Sequence, residues 1–478
     1  MGSTAPQSQN PNPPHVYTGA AGVVGAGIAG LCAAIGLRRA GWEVEVFEKS
    51  RFKNEIGAAI TVPSNATLVL KRWGFDLEKA GAVPNDKLTI ARAADLEVFY
   101  REEFPEMASE FGHGIWTIHR VDLHRGLREI ATAIRRESAD GEEEGRFGPP
   151  VEIRLGCEVV GVDCERGILR LPDGQTVEKD LVIIADGAHS ALLSDFTGHP
   201  SVDQRTGRSV YRWLVSMDDV MADPVLRAQY EGELPGYTAY SSPDMKLLWV
   251  TYTCRGGKVL NNALVHTTQT GEGEPGEENQ WHAPVSRDQV LSRLEGFHPS
   301  LKKIVAMASE DGIKVHNLFK RPALTSFVRG VTAVVGDAAH VMLPTHGAGG
   351  GIAIESAASL EVLFSRVDGR NGAMVQQRLA VFDKLRIPRC NLTMLASNGG
   401  PEWRQLPGVV EEIRRFYSGP LPPAGLLQYN KPFREIFFCH DEFRAAGQAL
   451  AQLNQAPSSS GLASAEAEHD SPGAAPTP

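Results

Sequence analysis

The chain has 478 residues, is 42% apolar and carries a formal net charge of -10. At roughly 100 to 200 residues per domain the length allows about two to four domains, and the acidic balance excludes a general nucleic-acid surface, leaving anion binding to local arginines. Six scattered cysteines (32, 157, 164, 254, 390 and 439) show no CxxC spacing, which argues against a disulfide framework or a thiolate metal site and for reduced thiols in the cytoplasm, while the absence of any run of about 18 apolar residues argues against a membrane span.

Residues 1–14 are rich in Ser, Pro, Asn and Gln without an apolar stretch, so they are expected to be a disordered leader and not a signal peptide. A first strand is expected before Gly25, short or irregular because Gly19 and Gly22 interrupt it. The chain then reads Gly25-Ala26-Gly27-Ile28-Ala29-Gly30. A dinucleotide pyrophosphate needs a turn without Cβ atoms and free N–H groups at a helix start; Gly25 and Gly27 suit the turn, and Gly30 suits tight packing of the helix on the sheet. Ile28, Leu31, Cys32 and Ile35 mark one helical face and Gly41 a stop. A strand over Glu43-Val44-Glu45-Val46-Phe47 follows, and Glu48 at its end stands 18 positions after Gly30, near the usual place of a carboxylate that accepts a ribose hydroxyl.

Next come Asn54-Glu55-Ile56-Gly57-Ala58-Ala59-Ile60, a small-residue stretch, and a helical pattern at Leu68, Leu70 and Trp73. A further helix is expected where Leu123, Leu127 and Ile130 share a face, with Arg120 just ahead of it; an arginine there either reaches a phosphate or is solvated at a helix start. Residues 137–149 read as an acidic surface loop and 151–177 as a short sheet. Leu181-Val182-Ile183-Ile184-Ala185 is a continuous apolar run, as for a parallel strand buried on both faces, and it delivers Asp186-Gly187 at its carboxyl end, where open α/β sheets bind ligands. Short alternating strands at 201–315, with a Gly/Glu-rich loop at 271–279, read as an inserted, mostly antiparallel layer. The parallel pattern resumes at Val331-Thr332-Ala333-Val334-Val335 and delivers Gly336-Asp337, then Pro344-Thr345-His346-Gly347-Ala348-Gly349-Gly350-Gly351 and an apolar-faced helix from Ile352 to Phe364. This second glycine loop into a helix N-terminus is suited to partial negative charge. Helices fill the chain to about Leu453, and the Ser/Ala/Pro-rich tail is expected to be disordered.

Taken together, the GxGxxG turn with Glu48, Arg120, Asp186-Gly187 and Gly336-Asp337 with its Pro/Gly loop resemble the class A flavoprotein monooxygenases, the aromatic hydroxylases similar to salicylate hydroxylase, and most of all their fungal polyketide-tailoring members. The likeness runs from about residue 22 to 440 and includes Glu55-Ile56-Gly57-Ala58-Ala59-Ile60, Ala185-Asp186-Gly187-Ala188-His189-Ser190 and Gly336-Asp337-Ala338-Ala339-His340 with Pro344. It implies an α/β fold: a glutathione-reductase-like FAD-binding Rossmann domain (15–200 and 316–395), an inserted mostly antiparallel substrate-binding sheet (201–315), a C-terminal helical region (396–456) and a disordered tail (457–478). The resemblance further implies one FAD, with NADPH or NADH as a transient co-substrate. On this basis Glu48 binds the adenosine ribose, Arg120 the pyrophosphate side and Asp337 the ribityl or diphosphate region. Ala59 and Gly350 lie against the flavin, and Asp186 is shared between FAD and the nicotinamide nucleotide. Relatives commonly carry an arginine three positions after the serine that follows Asp-Gly; here Ser190 is followed by Ala191-Leu192-Leu193. His346 stands where many relatives carry glutamine, and a packed histidine is expected in preference to a substrate contact.

The implied reaction transfers an electrophilic oxygen from a C4a-hydroperoxyflavin, for which a phenolate is a better partner than a phenol, so a cation or base is needed beside the ring hydroxyl. Val210-Tyr211-Arg212-Trp213 resembles the family's arginine-bearing strand, and Trp249-Val250-Thr251-Tyr252-Thr253-Cys254-Arg255-Gly256-Gly257 its Tyr-Pro segment with Thr253 in place of proline. Arg212 is thus expected to hold the phenolate and Tyr252 to position or deprotonate it, with Tyr240 as its substitute and core packing as the other reading of Tyr252. The expected activity is hydroxylation of a phenolic, polyketide-derived small aromatic with NAD(P)H and O2. The alternatives are flavin-dependent epoxidation, dearomatisation or rearrangement of an indole or terpenoid and, more remotely, a flavin-binding protein without turnover.

Overall fold

The computed structural model describes residues 19–52, 58–134, 147–268, 283–426 and 428–455. The expected leader and tail, Asn54 to Gly57, most of the acidic loop and the loop at 271–279 lie outside the described residues.

Six strands form the nucleotide-side sheet, in the order Val328–Arg329, Thr332–Val334, Leu181–Ile184, Ala20–Val24, Glu43–Glu48 and Glu152–Leu155. Every pair is parallel except the first, a tight antiparallel turn at the edge. The central strand is short, at five residues, but regular and paired on both sides. Its glycine has a packing reason: a Cβ on Gly22 would lie 2.9 Å from Cγ of Lys179, whose stem crosses there to reach Glu45, 3.0 Å away. Residues 181–184 are fully buried, as the apolar run requires. The stretch read as a short sheet divides. Glu152–Leu155 joins the parallel sheet beside Glu43–Glu48, and the rest makes a separate three-stranded meander.

Two glycine-led helices, Ile28–Arg39 and Gly349–Phe364, pack on each other above this sheet. They approach closely because Gly36 has no side chain; a Cβ there would sit 2.4 Å from the Ala357 carbonyl oxygen. The second helix starts three residues before the expected Ile352, since the first helical bond runs from Ile352 N–H to Ala348 O (3.0 Å) and makes the three glycines its first turn.

The second sheet has eight strands, in the order Ala283–Pro284, Lys314–Lys320, Gln204–Ser216, Val259–Thr267, Leu248–Cys254, Tyr237–Ser241, Lys87–Arg92 and Val98–Glu103. It is antiparallel except where Tyr237–Ser241 runs parallel to Lys87–Arg92. Two of its strands come from 87–103 and one continues to Lys320, so the sheet draws on more of the chain than 201–315. One face carries Tyr211, Trp213, Tyr240, Trp249 and Leu264, all buried against the helices Arg287–Arg293 and Pro299–Ala306. The other face, with Arg212, Leu214, Leu248, Val250, Tyr252, Ala263 and Val265, is only half buried.

A 28-residue helix, Gly372–Gly399, follows, and the last described helix, Glu442–Gln455, is tied to it through buried charge. Arg386 pairs with Glu442 (2.5 Å) and Glu355 (2.9 Å), and Arg389 with Glu355 (2.8 Å). No described helix is long and apolar enough to cross a membrane.

Candidate flavin and ring-binding site

The turn at Gly25 has φ 97°, and a Cβ there would lie 2.4 Å from the Ala185 carbonyl oxygen. On Gly30 a Cβ would lie 1.9 Å from the Gly25 carbonyl oxygen, so both glycines are demanded by backbone against backbone. Gly27 differs, because a Cβ there would meet no protein atom within 4 Å. The open space lies at the start of a helix with no capping side chain and no acid in its first turn, whose first N–H groups lack intrahelical acceptors. Such a cradle fits the phosphates of a dinucleotide. Glu48 stands beside it, its Oε2 accepting the Ala26 N–H and its Oε1 the Ser50 N–H, both at 2.7 Å; a carboxylate offers about four lone-pair sites, so capacity for a ribose hydroxyl remains.

Asp186 and Asp337 follow the carboxyl ends of adjacent parallel strands. Oδ2 of Asp186 accepts the Ala191 (2.9 Å) and Leu192 (3.4 Å) N–H groups, while Oδ1 is buried with no partner among the described residues. Burial raises its pKa, opposed first by the Ser190 hydroxyl and then by those N–H groups. Asp337 is solvent-exposed, yet the surrounding protein pushes its pKa up, with Arg120 and Arg321 opposing. The pair of observations is characteristic of a side chain lining a deep crevice.

Arg120 is the first residue of its helix instead of lying just ahead of it, and its N–H donates to Ala58 O (3.0 Å). Its positive charge opposes the rise in the Asp337 pKa and adds to the lowering of the Arg212 pKa. Gly350, in the first turn of an uncapped, acid-free helix start, leaves a Cβ position 3.7 Å from Cδ1 of Ile60. The helix therefore points its positive end across the strand Ala59–Val62.

Arg212 lies in mid-strand, its flanking residues Tyr211 and Trp213 turned to the opposite, buried face. Its Nε is buried with no partner among the described residues. Burial lowers its pKa, Tyr252 opposes this, and Arg120 adds repulsion. Tyr252 is on the same face and donates its hydroxyl proton to Ala59 O (2.9 Å). Burial and neighbouring Tyr237 raise its pKa, with Arg212 opposing, which favours the protonated phenol. Tyr240 does not share this face. Strand alternation turns it toward Trp249 on the far side of the sheet (ring centroids 6.3 Å apart), where burial pushes its pKa up to about 12. That placement removes it as a substitute for Tyr252. His346 is fully buried between Phe433 (4.9 Å) and Phe437 (5.9 Å), with Nδ1 3.2 Å from Ser397 Oγ, and is thus a packed residue.

Two residues stand out that the sequence reading passed over. Arg321 follows the strand Lys314–Lys320 beside the Asp186-Gly187 turn, with Nε on Asp203 Oδ1 (2.6 Å), Nη2 on the Ala188 carbonyl, and Nη1 buried with no partner among the described residues. No sequence motif marks it. Asn261 is 2% exposed and accepts the Ala59 N–H on Oδ1 (3.0 Å). Its signal was legible, because Asn261-Asn262 are two adjacent amides inside an otherwise apolar strand, and each needs a partner once buried.

An FAD binding domain family model matches residues 18–391. The FAD-dependent monooxygenase cfoG of Aspergillus candidus is 32% identical over 383 residues, covering 80% of this chain and 85% of that protein. Hispidin-3-hydroxylase of Neonothopanus nambi is 29% identical over 385 residues, covering 78% and 86%. A salicylate hydroxylase substrate complex has the same fold, with a TM-score of 0.66 at 24% identity over 90% of this chain and 97% of that one. The glycine cradle, the paired strand-end carboxylates and this shared length of sequence lead to one conclusion: the chain belongs to the FAD-binding-domain family and is an FAD-dependent monooxygenase of the class A aromatic-hydroxylase type.

Proposed function

We propose that the protein hydroxylates a phenolic, polyketide-derived aromatic, using NAD(P)H and O2. The observation that carries this reading is Arg212, whose Nε is buried without a partner among the described residues, on a half-buried and otherwise largely apolar sheet face with Tyr252. When bound and reduced, the flavin supplies an electrophilic oxygen. Gly25, Gly27, Gly30 and Glu48 would hold its adenosine diphosphate half, with Asp337 and Arg120 further along, and Ala59 and Gly350 would lie against the ring system. Arg321 Nη1 has no partner among the described residues, so Arg321 would supply the cation absent at Leu193 for the phosphates of the nicotinamide nucleotide.

Arg212 would stabilise the phenolate, with the field of Arg120 in the same sense. Tyr252 would accept a hydrogen bond from a ring substituent and fix its position, its own proton being held by Ala59 O. The related proteins named for fungal monooxygenation and for hispidin hydroxylation support an oxygenated ring as substrate. Unpaired thiols at all six cysteines agree with a reducing compartment such as the cytoplasm.

The test is substrate-dependent NAD(P)H oxidation by the FAD-loaded protein over a panel of phenols, hydroxypyrones and indoles, with mass detection of one added oxygen. A phenol or hydroxypyrone gaining one oxygen supports the reading. Oxygen insertion into indoles alone would replace it with the epoxidation and rearrangement alternative.

A further inference from the structure

The strand Ala59–Val62 pairs with Trp116–His119 along one edge only. An edge strand leaves outward N–H and C=O groups in need of partners, and burying them unpaired is costly. Here those partners are side chains of the eight-stranded sheet. Asn261 Oδ1 accepts the Ala59 N–H (3.0 Å) and the Tyr252 hydroxyl donates to Ala59 O (2.9 Å), so one peptide unit on either side of Ala59 is gripped. Two residues on, Thr61 Oγ1 is 2.6 Å from the Tyr237 hydroxyl. Asn261 and Tyr252 are cross-strand partners, and Tyr237 meets Tyr252 edge-on at 5.2 Å, so the three side chains brace one another.

The strand and the residue after it also meet the second glycine loop and the first turn of its helix. A Cβ on Gly347 would lie 2.9 Å from Thr61 Oγ1, and one on Gly351 would lie 2.5 Å from Pro63 Cγ. The strand therefore touches both the start of that helix and the sheet that carries Arg212. Leu214 is the cross-strand partner of Asn261, two residues from Arg212 on the same strand and face.

We infer that Asn261, Tyr252 and Tyr237 form a clamp that sets the strand Ala59–Val62 against the flavin, making Asn261 and Tyr237 positioning residues that couple occupation of the ring site to oxygen transfer. The inference rests on the reading of Ala59 and Gly350 as flavin neighbours. Loosening the clamp leaves the Arg212 cation in place but lets the flavin-facing strand shift, so reduced flavin reacts with oxygen unproductively: NAD(P)H + H+ + O2 yields NAD(P)+ and H2O2 in place of hydroxylated product.

The experiment uses FAD-loaded full-length protein with Asn261→Ala, Asn261→Asp, Tyr237→Phe, Asn262→Ala and Gly350→Ala. Visible flavin absorption, FAD affinity by fluorescence titration, and peroxide formed per NAD(P)H are read well below each variant's melting temperature. Asn261→Ala is expected to shift the flavin spectrum and raise the peroxide fraction at least about twofold, corresponding to about 0.4 kcal/mol in partitioning. Asn261→Asp keeps the acceptor and should restore both, with Tyr237→Phe intermediate. Asn262 faces the other way, accepting from Trp249 Nε1 (3.1 Å), so Asn262→Ala should lower stability and leave spectrum and peroxide fraction as in the parent. A spectrally silent Asn261→Ala, or an Asn262→Ala that reproduces its effects, overturns the clamp. Gly350→Ala separates the two layers of the argument. Its Cβ has room in the protein at 3.7 Å, so a loss of FAD affinity there with a silent Asn261→Ala removes the clamp alone, whereas unchanged FAD binding in Gly350→Ala removes the flavin-neighbour reading.

Discussion

At the carboxyl ends of two interior strands of the parallel sheet, Asp186 and Asp337 stand within three residues of the strand ends, whereas on the eight-stranded sheet Arg212 and Tyr252 stand in mid-strand on one face. The first region uses strand ends, where the backbone turns away and glycine leaves room for a ligand. The second uses strand alternation, where each residue facing the crevice is flanked by residues facing a core. Strand ends hold polyols and phosphates with peptide groups and carboxylates, and a sheet face presents a flat apolar floor on which one cation dominates. The charges follow the same division, with carboxylates after the parallel strands, a guanidinium on the sheet face, and the charge of Arg120 bearing on the pKa of both Asp337 and Arg212.

The sharpest way to break this division is at the glycines. Gly30→Ala drives a Cβ into the Gly25 carbonyl at 1.9 Å and should prevent assembly of the folded flavoprotein. Gly27→Ala meets no protein atom, so it should fold as the parent while FAD affinity falls roughly tenfold or more, about 1.4 kcal/mol. Asp337→Ala should likewise fold and lose flavin, and Arg212→Ala should retain it. FAD-to-protein ratios beside thermal melts check all four. Equal flavin loss in Asp337→Ala and Arg212→Ala would dissolve the distinction between the two regions.

Next in size is the effect on chemistry. Arg212→Ala should lower turnover on a confirmed ring by roughly tenfold to a thousandfold, about 1.4 to 4 kcal/mol of barrier, while reduction by NAD(P)H continues. Arg212→Lys should recover only part of this, because a point charge does not replace a planar donor fork. Product formed per NAD(P)H consumed is the measurement, and undiminished coupling in Arg212→Ala would remove the residue from the mechanism.

Smaller still is the contrast between two tyrosines on opposite faces. Tyr252→Phe leaves Ala59 O without its donor and should cost about 1 to 3 kcal/mol of stability together with a several-fold loss of turnover. Tyr240→Phe should cost about 1 kcal/mol of stability and leave turnover unchanged, since its ring is packed on Trp249. Turnover loss in Tyr240→Phe would mean that the sheet's two faces are not functionally separate.

The same division explains what was legible in the sequence. Glycine turns, the apolar run at 181–184 and the Gly336-Asp337 step are written in consecutive residues, so the parallel sheet, the glycine turn into the first helix and the positions of both strand-end carboxylates could be read directly. The ring side depends on register. Nothing local shows that Lys87–Arg92 pairs with Tyr237–Ser241, or that Asn261 reaches a backbone 202 positions away. Arg321 was hidden for the same reason, its carbonyl partner Ala188 being 133 positions distant. Tyr240 and Tyr252 looked interchangeable because alternation parity can be compared only once the pairing is known.

The last predicted effect is on stability and hardly on turnover, and concerns His346, packed between Phe433 and Phe437. Burial lowers its pKa from 6.5 to about 3, and that of His340, also buried, to about 4. The unfolded chain thus takes up a proton at each site near pH 6.5 while the folded chain stays neutral to much lower pH. With the folded pKa depressed, stability from this source is fully present above about pH 6.5 and is lost as pH falls toward the folded value, at up to about 1.4 kcal/mol per pH unit for each histidine. Asp186 and Asp337, with raised pKa values, act in the opposite sense, so the difference between parent and variant is the quantity to read. His346→Gln removes one titrating site and retains a side chain able to bond Ser397. The gap between the parent's and the variant's melting temperatures should shift in the variant's favour as pH falls from 6.5 to 4, with turnover at pH 7.5 within about twofold of the parent, less than 0.5 kcal/mol. Melting curves that run parallel across this window would show that His346 is not held neutral in the folded protein, and a large loss of turnover would return it to the ring site.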